Sequence, residues 1–169
     1  MRKDHTLGAA FDDLAPGALF TTRGRTITES DLVSFAALTG DWHPQHADAA
    51  WAAGSRFGAR VAHGMLILSY AIGLVPFDAE RVVALRGLDG VSFKRPVRIG
   101  DTVRVEGRVE STQPLDDDVG LVTFAWRVLN QEDKMVARAR VSAVWRRDNG
   151  AARAAETPEA AVDFEEVYL

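Results

Sequence analysis

The chain has 169 residues, a net charge of −4 and no cysteine. Such a length provides for one domain with a core of its own. The mild acidity excludes a nucleic-acid binder that relies on a broad basic face, and the lack of cysteine excludes disulfides, thiolate metal sites and a cysteine nucleophile. With 47% hydrophobic and 26% charged residues the composition is that of an ordinary globular protein, so the chain is expected to fold.

Met1-Arg2-Lys3-Asp4-His5 has no apolar stretch behind it and does not read as a secretory signal. The longest apolar run, from Met65 to Val75, is about half of what a membrane-spanning helix needs. A cytoplasmic protein without membrane or nucleic-acid partners is the expectation. Up to about Phe20, the glycines and Pro16 break any periodicity, which reads as an arm or a short strand with turns.

Thr28-Glu29-Ser30-Asp31 then has the form of a helix start, with Leu32, Phe35, Ala36 and Leu38 on one face and Gly40 as the stop. Positions 41–58 form a structured loop region around Pro44, with a short helix over 48–53. The run Met65 to Val75 is apolar on nearly all sides and stops before Pro76, as a central helix enclosed by protein would.

From about Val82 the character changes. Val103, Val105 and Val109 alternate with charged residues, Val122, Phe124, Trp126 and Val128 form a second alternating set, and Ala137, Ala139, Val141, Ala143 and Trp145 a third. Helices first and an antiparallel meander after imply an α+β domain in which the sheet packs over the apolar helix. That domain is expected over residues 1–147, including the arm of about 1–20, with an acidic, Ala-rich tail over 148–169.

The chemistry concentrates in Gly40-Asp41-Trp42-His43-Pro44-Gln45-His46. Pro44 bends the backbone between Asp41 and His46, so their side chains can converge on one water, one taking a proton and the other giving one. Downstream, a helix beginning near Gly64 would offer an unpaired backbone N–H to a carbonyl oxygen, with the helix dipole favouring an enolate there. Together they describe proton transfer next to a carbonyl.

These residues, with Phe57-Gly58, His63-Gly64-Met65-Leu66 and Val91-Ser92-Phe93-Lys94-Arg95-Pro96-Val97, resemble the signature of MaoC-like dehydratases and (R)-specific enoyl-CoA hydratases. Their usual pattern is Asp-x-Asn-Pro-x-His followed by a His-Gly-Met-Leu helix start, and the resemblance runs from about Thr26 to Arg147. It implies a hot-dog fold and a homodimer or higher assembly. It also implies Asp41 and His46 as the catalytic pair, the Gly64 N–H in the oxyanion hole, and a 2-enoyl thioester hydrated to an (R)-3-hydroxyacyl thioester. No metal or other cofactor is implied, coenzyme A being part of the substrate. His43 stands where the family usually has Asn, and because a neutral imidazole also donates and accepts hydrogen bonds, a positioning role is expected to survive.

Other assignments follow with their plain structural alternatives. His63 is expected as a helix-start residue with a satisfied hydrogen bond, in support of the pair as His43 is. Ser69 is expected inside the helix. Trp42 and Trp51 suit either an acyl pocket or core filling, and Lys94, Arg95 and Arg98 either coenzyme A phosphates or a solvated face. Asp41, His43 and His46 do not have the spacing of known zinc patterns. A dehydratase for carrier-protein or branched acyl thioesters and a non-catalytic acyl-thioester-binding protein are the alternatives.

Overall fold

Period-two burial along three consecutive strands builds the sheet. In β4 (Thr102–Pro114) the side chains of Val103, Val105 and Val109 are buried while their neighbours face out. β5 (Val119–Leu129) does the same with Val122, Phe124, Trp126 and Val128, and β6 (Met135–Arg146) with Ala137, Ala139, Val141 and Ala143. The computed structural model describes residues 5–148. The tail, beyond Asp148, lies outside them.

All partners in the sheet run antiparallel, in the order β1 (Leu19–Thr21), β4, β5, β6, β3 (Val82–Phe93), with β2 (Arg25–Thr26) beside β4. β3 is an edge, bonded to β6 through a register that slips three times. One slip falls at Gly90, whose φ of 58° a residue with a Cβ adopts only at a cost. β3 was the strand least visible in the sequence, because Arg86, Gly87, Asp89 and Gly90 interrupt its alternation.

The sheet wraps α4 (Gly64–Leu74), whose Leu66, Ile67, Leu68 and Ala71 join the same apolar cluster as the strand interiors. This curved antiparallel sheet around one apolar helix is the hot-dog fold. Two expectations for the helices need correction. α4 is not enclosed on nearly all sides: Met65, Ser69 and Gly73, spaced by single turns, are exposed in the single chain. Leu38 is 82% exposed, because α1 (Glu29–Thr39) buries Leu32 and Ala36 and its last turn runs clear of the core.

α1 starts as its sequence requires. Thr28 and Asp31 form a reciprocal capping box. Asp31 also accepts from the Tyr70 hydroxyl of α4 at 2.5 Å and pairs with Arg25 at 3.1 Å, while Arg25 lies 3.7 Å over the Tyr70 ring. One carboxylate thus joins β2, α1 and α4.

Residues 5–21 form two 3-10 turns, His5–Gly8 and Phe11–Asp13, and then β1 (Leu19–Thr21). Leu7, Phe11 and Leu14 enter the core, and the Phe11 ring occupies the place where a side chain at Gly120 would stand. The Trp145 indole N–H donates to the Ala9 carbonyl at 2.9 Å, fastening this segment to β6.

Candidate active site

The Asp41 to His46 segment is a chain of caps. Gly40 ends α1 in the left-handed conformation, its N–H donating to Ala36. The Asp41 carboxylate then accepts from the His43 N–H at 3.2 Å, and His43 Nδ1 accepts from the Gln45 N–H at 3.2 Å. His43 is therefore the N-cap of α2 (Pro44–Ala47), with Pro44 at its first position, and α3 (Ala49–Ala53) follows directly. An imidazole does here what a side-chain carbonyl would do, so the expected positioning role of His43 has a definite form.

That short helix delivers His46 into the interior, where it is 6% exposed. Its Nδ1–H donates to the Val61 carbonyl at 2.6 Å, which leaves Nε2 as the acceptor in the neutral ring, facing the Gln45 amide at 3.0 Å. The Val61 N–H in turn donates to the Gln45 carbonyl, and Ala62 N–H to Val97, so the imidazole is held against the sheet's end. Burial pushes the His46 pKa below its usual 6.5; the Val61 bond opposes that, and His63 adds to it.

His63 comes from the N-cap position of α4, yet its side chain makes no capping bond. Its ring stacks on His46, with centroids 3.8 Å apart and planes 24° from parallel. Nε2–H donates to the Asp41 carbonyl oxygen at 2.9 Å, the satisfied bond that was expected, while Nδ1 is buried with no partner among the described residues. Asp41 Oδ2 lies 4.0 Å from that same Nε2. The carboxylate is half exposed, and ligand atoms of Asp41, His46 and His63 all fall within 4.8 Å of one another.

A cation could be imagined among these three groups. Stacked imidazoles, however, point their in-plane lone pairs along parallel lines that do not converge on one ion. A water suits the geometry better: two acceptors up to about 5.5 Å apart can bind its two hydrogens at ordinary lengths.

Gly64, the first residue of α4, carries one of the N–H groups that a helix start leaves without an intrahelical acceptor. It lines a cavity of about 400 Å³ together with Gln45, His46, Ile67 and Val136. Glycine here leaves room for a ring that the sequence did not reveal. A Cβ at position 64 would lie 2.8 Å from the ring of Phe93, which closes over this helix start.

The basic residues divide. Lys94 and Arg95 line the cavity, as does Arg56, which sequence reasoning missed. Arg98 instead donates to the Phe57 carbonyl at 2.6 Å and braces the loop. Trp42 and Trp51 neither line this cavity nor fill the core; they are 53% and 48% exposed. Ser69 is also exposed, its hydroxyl returning to the Met65 carbonyl at 2.8 Å, which corrects its expected place inside the helix. Gln45 and Phe93 were missed as site residues although both stand inside quoted motifs, because contact between them and the other members depends on the fold.

Comparison with known proteins extends this picture. The family model for the MaoC like domain matches residues 13–130. Protein MaoC of Klebsiella aerogenes is 41% identical over 60% of the chain, which spans only 30% of that relative's length. An (R)-specific enoyl-CoA hydratase of Rhodospirillum rubrum is 32% identical over 68% of the chain and 78% of its own length. Among solved structures, the R-hydratase PhaJ1 of Pseudomonas aeruginosa superimposes with a TM-score of 0.68 at 32% identity, covering 90% of this chain and 96% of that one.

Proposed function

We propose, since the chain belongs to the MaoC-like domain family, that it is a hydro-lyase adding water reversibly to a 2-enoyl thioester to give an (R)-3-hydroxyacyl thioester. The observation that carries this reading is the approach of Asp41 and His46 within 4.8 Å of one another beside the start of α4. The names of its relatives support it: two (R)-specific enoyl-CoA hydratases and a 3-hydroxybutyryl-CoA dehydratase lie between 32% and 38% identity.

The chemistry follows from what each group can accept or donate. A water that takes the place of the Gln45 amide at His46 Nε2 gives one hydrogen to that nitrogen and one to the Asp41 carboxylate, which aims its lone pair at the β-carbon. As the C–O bond forms, Asp41 draws off a proton, and His46 keeps the water oriented. The electron pair of the double bond moves to the thioester carbonyl, whose oxygen charge the Gly64 N–H and the positive end of α4 stabilise. The proton held by the pair then passes to the α-carbon. Dehydration is the same path reversed, and no metal or redox cofactor enters either direction.

Coenzyme A phosphates suit Lys94 and Arg95 at the cavity, with Arg56 as a third cation. Arg98, which does not line the cavity, is left out of that role. A homodimer also belongs to the proposal. β3 pairs with β6 on one side only, and Val83, Leu85, Val91 and Phe93 along it are exposed, an edge that a second copy would cover.

A panel of short, medium and branched enoyl-CoA esters, assayed by loss of enoyl-thioester absorbance, tests the reaction and the pocket together. Turnover of at least one ester with (R) product supports the proposal. Inactivity on every coenzyme A ester, with turnover of the same acyl group on a carrier protein, moves the substrate to the carrier-bound class; inactivity on both refutes the enzyme reading.

A further inference from the structure

The unexplained group of the site is His63. It is 3% exposed, occupies an N-cap position without capping, and leaves Nδ1 buried and unpartnered. Buried polar atoms without partners are uncommon, and such an atom beside a reaction centre calls for a reason. A helix-start residue kept only for the fold would spend its side chain on the free N–H groups of α4, as Thr28 does for α1. His63 turns the other way, toward Asp41 and His46.

Its contacts reach both members of the pair by different means. The Nε2–H bond at 2.9 Å holds the Asp41 backbone carbonyl, and the ring face holds the His46 imidazole at 3.8 Å. Phe35 of α1 backs the His63 ring from its own side, with centroids 5.1 Å apart. His63 is thus clamped, bonded to Asp41, stacked on His46 and Phe35, and absent from the cavity lining.

We propose that His63 is a positioning residue that sets the spacing of Asp41 and His46 and is itself locked as the Nε2–H tautomer, so that the stacked rings share a single proton site, His46 Nε2. The inference rests on the hydro-lyase reading and adds to it a residue that touches neither water nor substrate.

The lock is geometric. The Asp41 carbonyl can only accept, so it fixes hydrogen on His63 Nε2; the Val61 carbonyl fixes hydrogen on His46 Nδ1 in the same way. A further proton on His63 would sit on the buried, partnerless Nδ1, while on His46 it would sit on Nε2, at the carboxylate side. Two charged rings at this separation repel strongly, so the stack accepts one proton at most. The other ionisable groups bearing on His46 are Asp41 and His43. Arg56, Lys94 and Arg95 line the adjoining cavity, and the neighbour on the far side of His63, Phe35, carries no charge.

Two variants of the full chain separate the contacts. His63→Phe keeps the stack and removes the hydrogen-bond donor, whereas His63→Gln keeps a donor for the Asp41 carbonyl and removes the ring. Imidazole 15N signals should show the neutral wild-type His63 ring as the Nε2–H tautomer. In His63→Phe, kcat for enoyl-CoA hydration should fall about tenfold or more with KM changed by less than about threefold, since spacing of the pair and not binding is lost. In His63→Gln, which loses the stack, kcat should fall as well, since the donor alone does not hold the His46 ring.

Observation of the neutral His63 ring as the Nδ1–H tautomer, or wild-type kcat in His63→Gln, would overturn the proposal. So would wild-type kcat in His63→Phe. Should the wild-type protein hydrate no thioester, the hydro-lyase reading fails on its own while the His63 tautomer still decides the lock. Should His63→Phe not fold, the wild-type tautomer and His63→Gln decide it.

Discussion

The Nδ1–H of His46 donates to the carbonyl oxygen of Val61 at 2.6 Å, across 15 residues of sequence. This bond selects the tautomer of a buried ring and makes its other nitrogen, 3.0 Å from the Gln45 amide, the acceptor, which suits His46 to handle a proton. It also has a thermodynamic signature. Because burial lowers the folded pKa below 6.5, the unfolded chain takes up this proton first. The stability associated with His46 is therefore complete above 6.5 and declines as pH falls below it, until the folded ring is protonated as well. Urea midpoints measured across that range should drop with acidification in the wild type, and the drop should be smaller in His46→Gln.

The acid side has a second transition at Asp31. Burial opposes its charge, but hydrogen bonds from Tyr70, from the Thr28 N–H and hydroxyl, and from Arg25 outweigh it and bring the pKa to about 2 from 3.8. The carboxylate side chain is only 11% exposed, and the shift corresponds to about 2 kcal/mol. That contribution is present above 3.8 and is lost as pH falls toward 2. Asp31→Ala should cost about 2–3 kcal/mol at neutral pH, capping included, and should flatten the stability curve below pH 4; an unchanged curve would remove Asp31 from this role.

His43 supplies a conservative test of the capped turn. His43→Asn restores a side-chain oxygen able to accept from the Gln45 N–H, so stability and hydration should stay near wild type. His43→Ala removes the cap, with an expected cost of about 1 kcal/mol and a fall in kcat as His46 loses its fixed approach. Thermal melts of the two variants, side by side with their rates, decide whether His43 acts through the cap. Equal loss in both would assign the imidazole some other task.

Gly64 tests the oxyanion site. Alanine favours helix over glycine, but its methyl would meet the half-exposed Phe93 ring at 2.8 Å. The ring is able to swing aside, so Gly64→Ala should melt within a few degrees of wild type while kcat falls about tenfold or more. Adding Phe93→Ala separates two causes. Loss that persists in the double variant comes from the methyl beside the N–H; recovery assigns it to the displaced ring.

Much of this was legible beforehand, and the reasons are particular. Val103, Val122 and Val141 announce their strands because one face of each is buried and the period is two. Thr28 and Gly40 announce the ends of α1 because capping chemistry is local. Asp41, His46 and Gly64 were readable as a set because one turn and one helix start hold them. Leu38, Met65 and Ser69 were misread because periodicity tells which side of a helix is apolar, not how far along it the neighbouring protein extends. The stack of His63 on His46, the Gln45 amide at Nε2 and the Phe93 ring over Gly64 are contacts between segments far apart or turned by the fold, and no local pattern encodes them.

The most direct test of the central claim is the rate of crotonyl-CoA hydration by Asp41→Asn beside that of the wild type. Asparagine keeps an oxygen for the His43 N–H, so the turn and the fold should survive, as a matching melting curve would show. Removal of the base alone should then lower kcat/KM by about a thousandfold. A folded Asp41→Asn protein hydrating crotonyl-CoA at close to the wild-type rate would contradict the account.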